Sequence, residues 1–186
     1  MITYGMKTGD QPPGSMTWSK EAFTCDGYPH GTETWVINYE FPSGIHPETK
    51  KPFHGDGRVG YLPDNEEGVE VLALLVASFQ RKLTFTVGFS VVRGRDNCIV
   101  WNGVHHKTRT FGGSTRYGYP DPTYCNRVKQ ELALKCVVFE SDQHKQELIK
   151  EVTTKLKEVK HGKPSKSKNN KPDISVLAGF KIPGFN

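Results

Sequence analysis

The chain has 186 residues, a formal net charge of +5, 35% hydrophobic residues and four cysteines. That is length enough for one domain with a genuine core plus a tail, without disulfide staples. Residues 1–140 carry 15 basic and 15 acidic side chains, whereas 141–186 carry 10 Lys against five acids. The body is therefore electrostatically balanced, and no nucleic-acid partner is expected from its charge pattern; the Lys/Ser/Asn-rich tail reads as a solvated linker. Cys25, Cys98, Cys125 and Cys136 form no C-x-x-C pair and no Cys/His cluster at zinc spacing, so no structural metal is expected and the thiols should be reduced. With no leader of the secretory type and no run of about 18 apolar residues, the expected location is the cytoplasm or nucleus, off the membrane.

In chain order, residues 9–30, rich in Gly, Pro and Thr, read as coil with short extended pieces. A strand follows over 32–41, where Trp35, Ile37, Tyr39 and Phe41 alternate with polar residues and share a face. Pro42, Gly44, Pro47 and Pro52 then predict a long loop lasting until Tyr61, a length that in compact domains is often functional. After Pro63-Asp64-Asn65, the spacing of Val69, Leu72, Val76 and Phe79 predicts a core helix over 66–81. Leu83, Phe85, Val87, Phe89 and Val91 alternate with a small, polar face open to a ligand, and a second strand over 98–101 pairs with this one through the turn 93–97. Beyond a Gly-rich loop over 109–119, Asp121 and Pro122 predict the N-cap and first turn of a helix reaching about Lys135. A further amphipathic helix is expected over 141–160, then a basic linker over 161–172 and an apolar C-terminal peptide over 173–186. The predicted organisation is α+β: one domain over 1–140, an added helix over 141–160, and a tail over 161–186.

No Gly-rich phosphate loop, G-x-S-x-G elbow or HExxH site is present. The candidates for chemistry are the pair His105-His106, the loop ending Tyr117-Gly118-Tyr119-Pro120, and Glu131 on the helix that follows. Each also has an ordinary reading: a structural histidine, rim or core aromatics, a solvated carboxylate. Glu131, however, follows Tyr124 and Val128 at i+7 and i+3, which places it on the buried face, where a carboxylate is costly unless something pairs with it.

The blocks Gln11-Pro12-Pro13-Gly14-Ser15-Met16, Gly60-Tyr61-Leu62-Pro63-Asp64-Asn65, Leu83-Thr84-Phe85-Thr86-Val87-Gly88, Trp101-Asn102 with His105-His106-Lys107-Thr108, and Gly118-Tyr119-Pro120-Asp121-Pro122 resemble the Deltex C-terminal domain signatures, in that family's order, from about Thr8 to Val138. The resemblance implies a single α+β domain with a groove for ADP-ribose or NAD, bound as ligand or substrate, with no cofactor required. It implies a part in a RING-type E3 ubiquitin transferase: a RING, which these cysteines cannot build, recruits ubiquitin on an E2 conjugating enzyme, and the groove presents a ribose hydroxyl of ADP-ribosylated proteins as acceptor. By motif, Glu131 is the catalytic carboxylate, with His105 and Tyr117 beside it. The implied ligand contacts are Gly88, Ser90 and Val91 on the strand side, and His105, Tyr117, Gly118 and Tyr119 on the loop side. Tyr117 replaces a commoner histidine, as in one branch of the family. His46-Pro47 is followed by Glu48-Thr49-Lys50 where members often continue Asn-Pro-Gly, which puts the local loop geometry in question. Two other classes remain open: a non-enzymatic ADP-ribose reader, and a peptide-binding scaffold using the groove and apolar tail.

Overall fold

The computed structural model describes residues 7–161. The expected apolar C-terminal peptide and all of the basic linker after His161 lie outside the described residues. The fold is α+β. A four-stranded antiparallel sheet runs in the order β5, β2, β1, β8, built from β1 (Ser15–Glu21), β2 (Thr34–Phe41), β5 (Asp56–Pro63) and β8 (Glu158–Lys160). Two small pairs accompany it, β3 (Gly44–Ile45) with β4 (Pro52–Phe53), and β6 (Phe85–Ser90) with β7 (Arg95–Trp101).

β2 behaves as its alternation predicts: Trp35, Ile37, Tyr39 and Phe41 all point into the core. Against them packs α1 (Glu66–Gln80), whose Asn65 side chain caps the helix by accepting from the Gly68 N–H at 2.8 Å. Gly68 is required there, since a Cβ would stand 1.9 Å from the Pro63 carbonyl oxygen. α1 is buried nearly all round because α2 (Tyr124–Leu134) and α3 (Asp142–Lys150) cover its outer side.

Five local expectations are corrected. Residues 15–21 form a seven-residue strand, with Met16 and Trp18 inward, where coil with only short extended pieces was expected. The stretch expected to be loop until Tyr61 contains β3, β4 and all of β5, whose Gly57 and Gly60 disguise it; Gly60 leaves room for the His106 ring, 3.1 Å from where a Cβ would stand. β7 begins at Arg95, so the hairpin turn is 91–94, and a register shift between Gly88 and Ser90 swaps the faces. Phe89 consequently faces solvent while Ser90 is buried; Val91 is exposed in the turn, and Thr84, just ahead of the strand, is buried. α2 starts at Tyr124 after Thr123, and Asp121 is not its cap; the Asp121 carboxylate is engaged elsewhere, as described below. Finally, the helix expected over 141–160 ends in a π turn, Glu151–Lys155, where Thr153 and Thr154 hydroxyls donate back to the carbonyls of Ile149 and Lys150. The chain then re-enters the sheet as β8, pairing Met16 with Val159. This segment is structural: Trp18 Nε1 donates to the Val152 carbonyl at 2.8 Å, and Leu148, Val152 and Val159 join the core.

The loop carrying Glu48-Thr49-Lys50 closes on His46. Its Nδ1 accepts from the Glu48 and Thr49 N–H groups, so Nε2 carries the hydrogen and donates to the Asp10 carbonyl at 2.9 Å. Lys50 takes the left-handed position, φ 59°, that a glycine would fill more easily.

Candidate active site

β7 ends at Trp101 and the chain crosses the end of β5, where the Tyr61 N–H donates to the Lys107 carbonyl at 2.8 Å. This anchors the His105-His106-Lys107 run. The two histidines differ completely. His106 is buried, stacked on Trp101 at 4.1 Å, and pinned at both nitrogens. Nδ1 faces the Val104 carbonyl and must donate, so Nε2 accepts from the Tyr39 hydroxyl at 2.7 Å. Burial pushes its pKa down to about 4, so this ring is neutral at pH 7 and is a brace.

His105 points the other way, its side chain 73% exposed. Glu131 grips it twice: Oε2 accepts from the His105 backbone N–H at 2.8 Å, and Oε1 lies 2.6 Å from Nδ1. From the same helix face, the Tyr124 hydroxyl donates to the His105 carbonyl at 2.9 Å. The residue thus has backbone and ring fixed by one helix. The i, i+4, i+7 series holds, with Tyr124 and Val128 buried and Glu131 at the rim.

The loop 109–119 forms the opposite wall. It closes on itself where the Thr108 and Arg109 N–H groups both donate to the Tyr117 carbonyl, at 3.0 and 3.2 Å. Gly118 permits this closure, since a Cβ there would stand 1.9 Å from the Phe111 carbonyl oxygen. Tyr117 sits in the left-handed region, φ 58°, with its ring largely exposed, a conformation costing a non-glycine residue about 1 kcal/mol or more. Between these walls lies a cavity of about 320 Å³, lined by His105, Lys107, Ser114, Tyr117, Arg127 and Glu131 together with the edges of His106 and Tyr124. It is within the size range of small-molecule sites.

Beneath the cavity, Lys107 and Asp121 form a salt bridge of 2.6 Å, each side chain only 4% exposed. Arg127 reaches the same carboxylate, Nη2 donating to Oδ2 at 2.8 Å and Nη1 to Oδ1 at 3.1 Å. Hydrogen bonds from Arg127, then from Lys107, hold the Asp121 carboxyl well below its usual range against the opposing effect of burial. The Lys107 ammonium also lies over the Tyr124 ring at 5.1 Å and the Tyr119 ring at 5.8 Å.

The sequence matches the Deltex C-terminal domain over residues 8–137. The chain belongs to the Deltex C-terminal domain family. Similar proteins include the "Probable E3 ubiquitin-protein ligase DTX3" of Homo sapiens, 45% identical over 137 residues, which covers 71% of this chain and 40% of that protein. The E3 ubiquitin-protein ligase DTX1 of Homo sapiens is 42% identical over 140 residues, covering 72% of this chain and 22% of its own length. The E3 ubiquitin-protein ligase DTX4 of Mus musculus is 39% identical over 150 residues, covering 77% and 24%. The chain thus aligns with less than half the length of these ligases.

Within this Deltex C-terminal domain, the three residues expected to carry chemistry, His105, Tyr117 and Glu131, meet at one cavity. Gly88, Ser90, Val91, Gly118 and Tyr119 do not line it. Ser90 is buried and accepts from the Arg93 N–H, Val91 is on the exposed hairpin turn, and Tyr119 is enclosed with its hydroxyl donating to the Tyr61 carbonyl. Lys107, Ser114 and Arg127 were missed by sequence reasoning; only the placement of Lys107 beside the histidine pair hinted at one of them. Among the described residues, no group of three or more His, Cys, Asp or Glu could hold a metal ion, and no helix is long and apolar enough to cross a membrane.

Proposed function

We propose that this chain is the acceptor-presenting part of a Deltex-type E3 ubiquitin ligase, holding ADP-ribose or NAD in the His105/Tyr117/Glu131 cavity. The observation that carries the proposal is the placement of Glu131: a carboxylate at the rim of a cavity, oriented by two hydrogen bonds to His105. A carboxylate offers about four acceptor positions, so one lone pair on each oxygen is still free to receive a hydroxyl proton.

The chemistry follows from that position. A ribose hydroxyl is a weak nucleophile at neutral pH. As its oxygen forms a bond to the thioester carbon of a ubiquitin-loaded E2, its proton passes to Glu131, and the C–S bond breaks to release the E2 thiolate. His105 holds the carboxylate in line and Tyr117 lies across the cavity from it, where its phenol can meet the ribose. The conjugating enzyme and ubiquitin are brought by a RING outside this chain, so the isolated 186 residues bind ADP-ribose without transferring ubiquitin.

A second reading, a reader that binds ADP-ribose without chemistry, draws on the same contacts, because a carboxylate that fixes His105 could be a brace alone. Titration calorimetry with ADP-ribose tests the part common to both; a flat titration contradicts both. Robust ubiquitin transfer by the isolated chain without an added RING contradicts the assignment of roles.

A further inference from the structure

The cluster at the cavity floor has two cations and one carboxylate: Lys107 and Arg127 share Asp121. Their exposures divide the work. The Lys107 side chain is 4% exposed, closed in by the Tyr119 and Tyr124 rings, and Asp121 neutralises it. The Arg127 side chain is 49% exposed and lines the cavity. A guanidinium has five N–H donors. Three are spent, two of them from Nη1 to Asp121 Oδ1 and the Thr123 hydroxyl, and one from Nη2 to Asp121 Oδ2. Among the described residues, the Nε–H and the second Nη2–H have no acceptor. A planar, charged fork with its back fixed and two donors unspent is preorganised for an anion.

Arg127 and Glu131 are also one helical turn apart on α2, both facing the cavity. Their backbone positions are about 6 Å apart along the axis, so a single nucleoside diphosphate is long enough to reach both side chains. The geometry points to Arg127 as the anion contact of this cavity, holding a phosphoryl group of a nucleoside diphosphate whose ribose lies against Glu131. The Ser114 hydroxyl lines the same cavity from the loop side and can add a second donor. Lys107, by keeping Asp121 charged and in place, is a positioning residue for Arg127.

This assignment rests on the ADP-ribose reading, and the test separates the two. Wild type, Arg127→Gln and Arg127→Lys are titrated by NMR with ADP-ribose, adenosine and inorganic pyrophosphate, and melting temperatures are recorded for all three proteins. The expected result is that Arg127→Gln weakens ADP-ribose and pyrophosphate roughly 10- to 100-fold while adenosine is unaffected. Arg127→Lys, keeping charge without the fork, falls between. Added salt weakens pyrophosphate binding to wild type more than to Arg127→Gln. Equal losses for ADP-ribose and adenosine, or no loss for ADP-ribose, overturn the anion-contact role. If pyrophosphate binds in an Arg127-dependent way but ADP-ribose binds no better than pyrophosphate, the subsite stands and the ADP-ribose reading fails. If ADP-ribose binds tightly and indifferently to Arg127, the reverse holds; if wild type binds neither, both fail.

Discussion

Lys107 and Asp121, 2.6 Å apart and almost wholly enclosed, tie the strand-side wall of the cavity to the entry of α2. A pair this dry depends on both members. Asp121→Asn leaves the Lys107 ammonium buried beside one neutral amide, and the expected loss is about 3–5 kcal/mol of stability. Replacing both together, as Lys107→Met with Asp121→Leu, recovers much of that loss in a denaturant titration. If the single variant costs no more than a surface substitution, the pair is not the strut described.

His106 gives the acid response a definite sign. Its pKa is depressed to about 4 in the folded chain against about 6.5 unfolded, so between those values the unfolded state binds the proton and the native state does not. Stability therefore falls as pH drops from 6.5 towards 4, by up to about 3 kcal/mol from this residue. His161, also held near 4 by burial, acts in the same window. His106→Phe lowers stability at pH 7, because the Tyr39 hydroxyl and the Val104 carbonyl lose their partner, yet it flattens the pH 4–6.5 slope. An unchanged slope contradicts the assignment.

Tyr117 combines a left-handed backbone with an exposed ring, so glycine separates its two properties. Tyr117→Gly relieves the backbone and removes little packing. The expected outcome is an unchanged or raised melting temperature with ADP-ribose affinity reduced about tenfold or more, the worth of a ring and its hydrogen bond. Tyr117→His retains binding and acquires a pH dependence near the ordinary imidazole pKa of about 6.5. Unaltered affinity in Tyr117→Gly makes the ring a bystander.

Val152 checks the role of the segment after Ser141. It is fully buried and its carbonyl receives Trp18 Nε1. Val152→Ala is expected to cost about 2 kcal/mol by urea titration. A loss near zero would mean that this segment only decorates the core.

These examples also mark what the sequence could and could not disclose. β2 and α1 were legible because each carries its whole burial pattern locally, in Trp35, Ile37, Tyr39 and Phe41, and in Val69, Leu72, Val76 and Phe79 with the Asn65 cap. β5 was hidden because its glycines interrupt the strand pattern, and the reason for one of them, Gly60, lies elsewhere, in the His106 ring. β8 was hidden because its apolar spacing suits a helix until Thr153 and Thr154 interrupt it. At the site, Glu131 was readable from its helical phase. Asp121 read as a cap because the buried cation it pairs with, Lys107, is 14 residues distant in the chain, and nothing local to Arg127 marked it as a second partner of that carboxylate.

The central claim, that Glu131 accepts a proton and does not merely hold His105, is tested by Glu131→Gln in a chain that also carries a RING. Glutamine preserves the hold: its oxygen accepts from the His105 N–H, and its amide donates to Nδ1 once the exposed ring carries its proton on Nε2. What it loses is basicity. Ubiquitin transfer to ADP-ribose, measured alongside melting temperature and ADP-ribose affinity, is predicted to fall about 100- to 10,000-fold with the other two near wild type. Transfer that persists, or that declines only in step with stability and affinity, would contradict the account and leave Glu131 a brace.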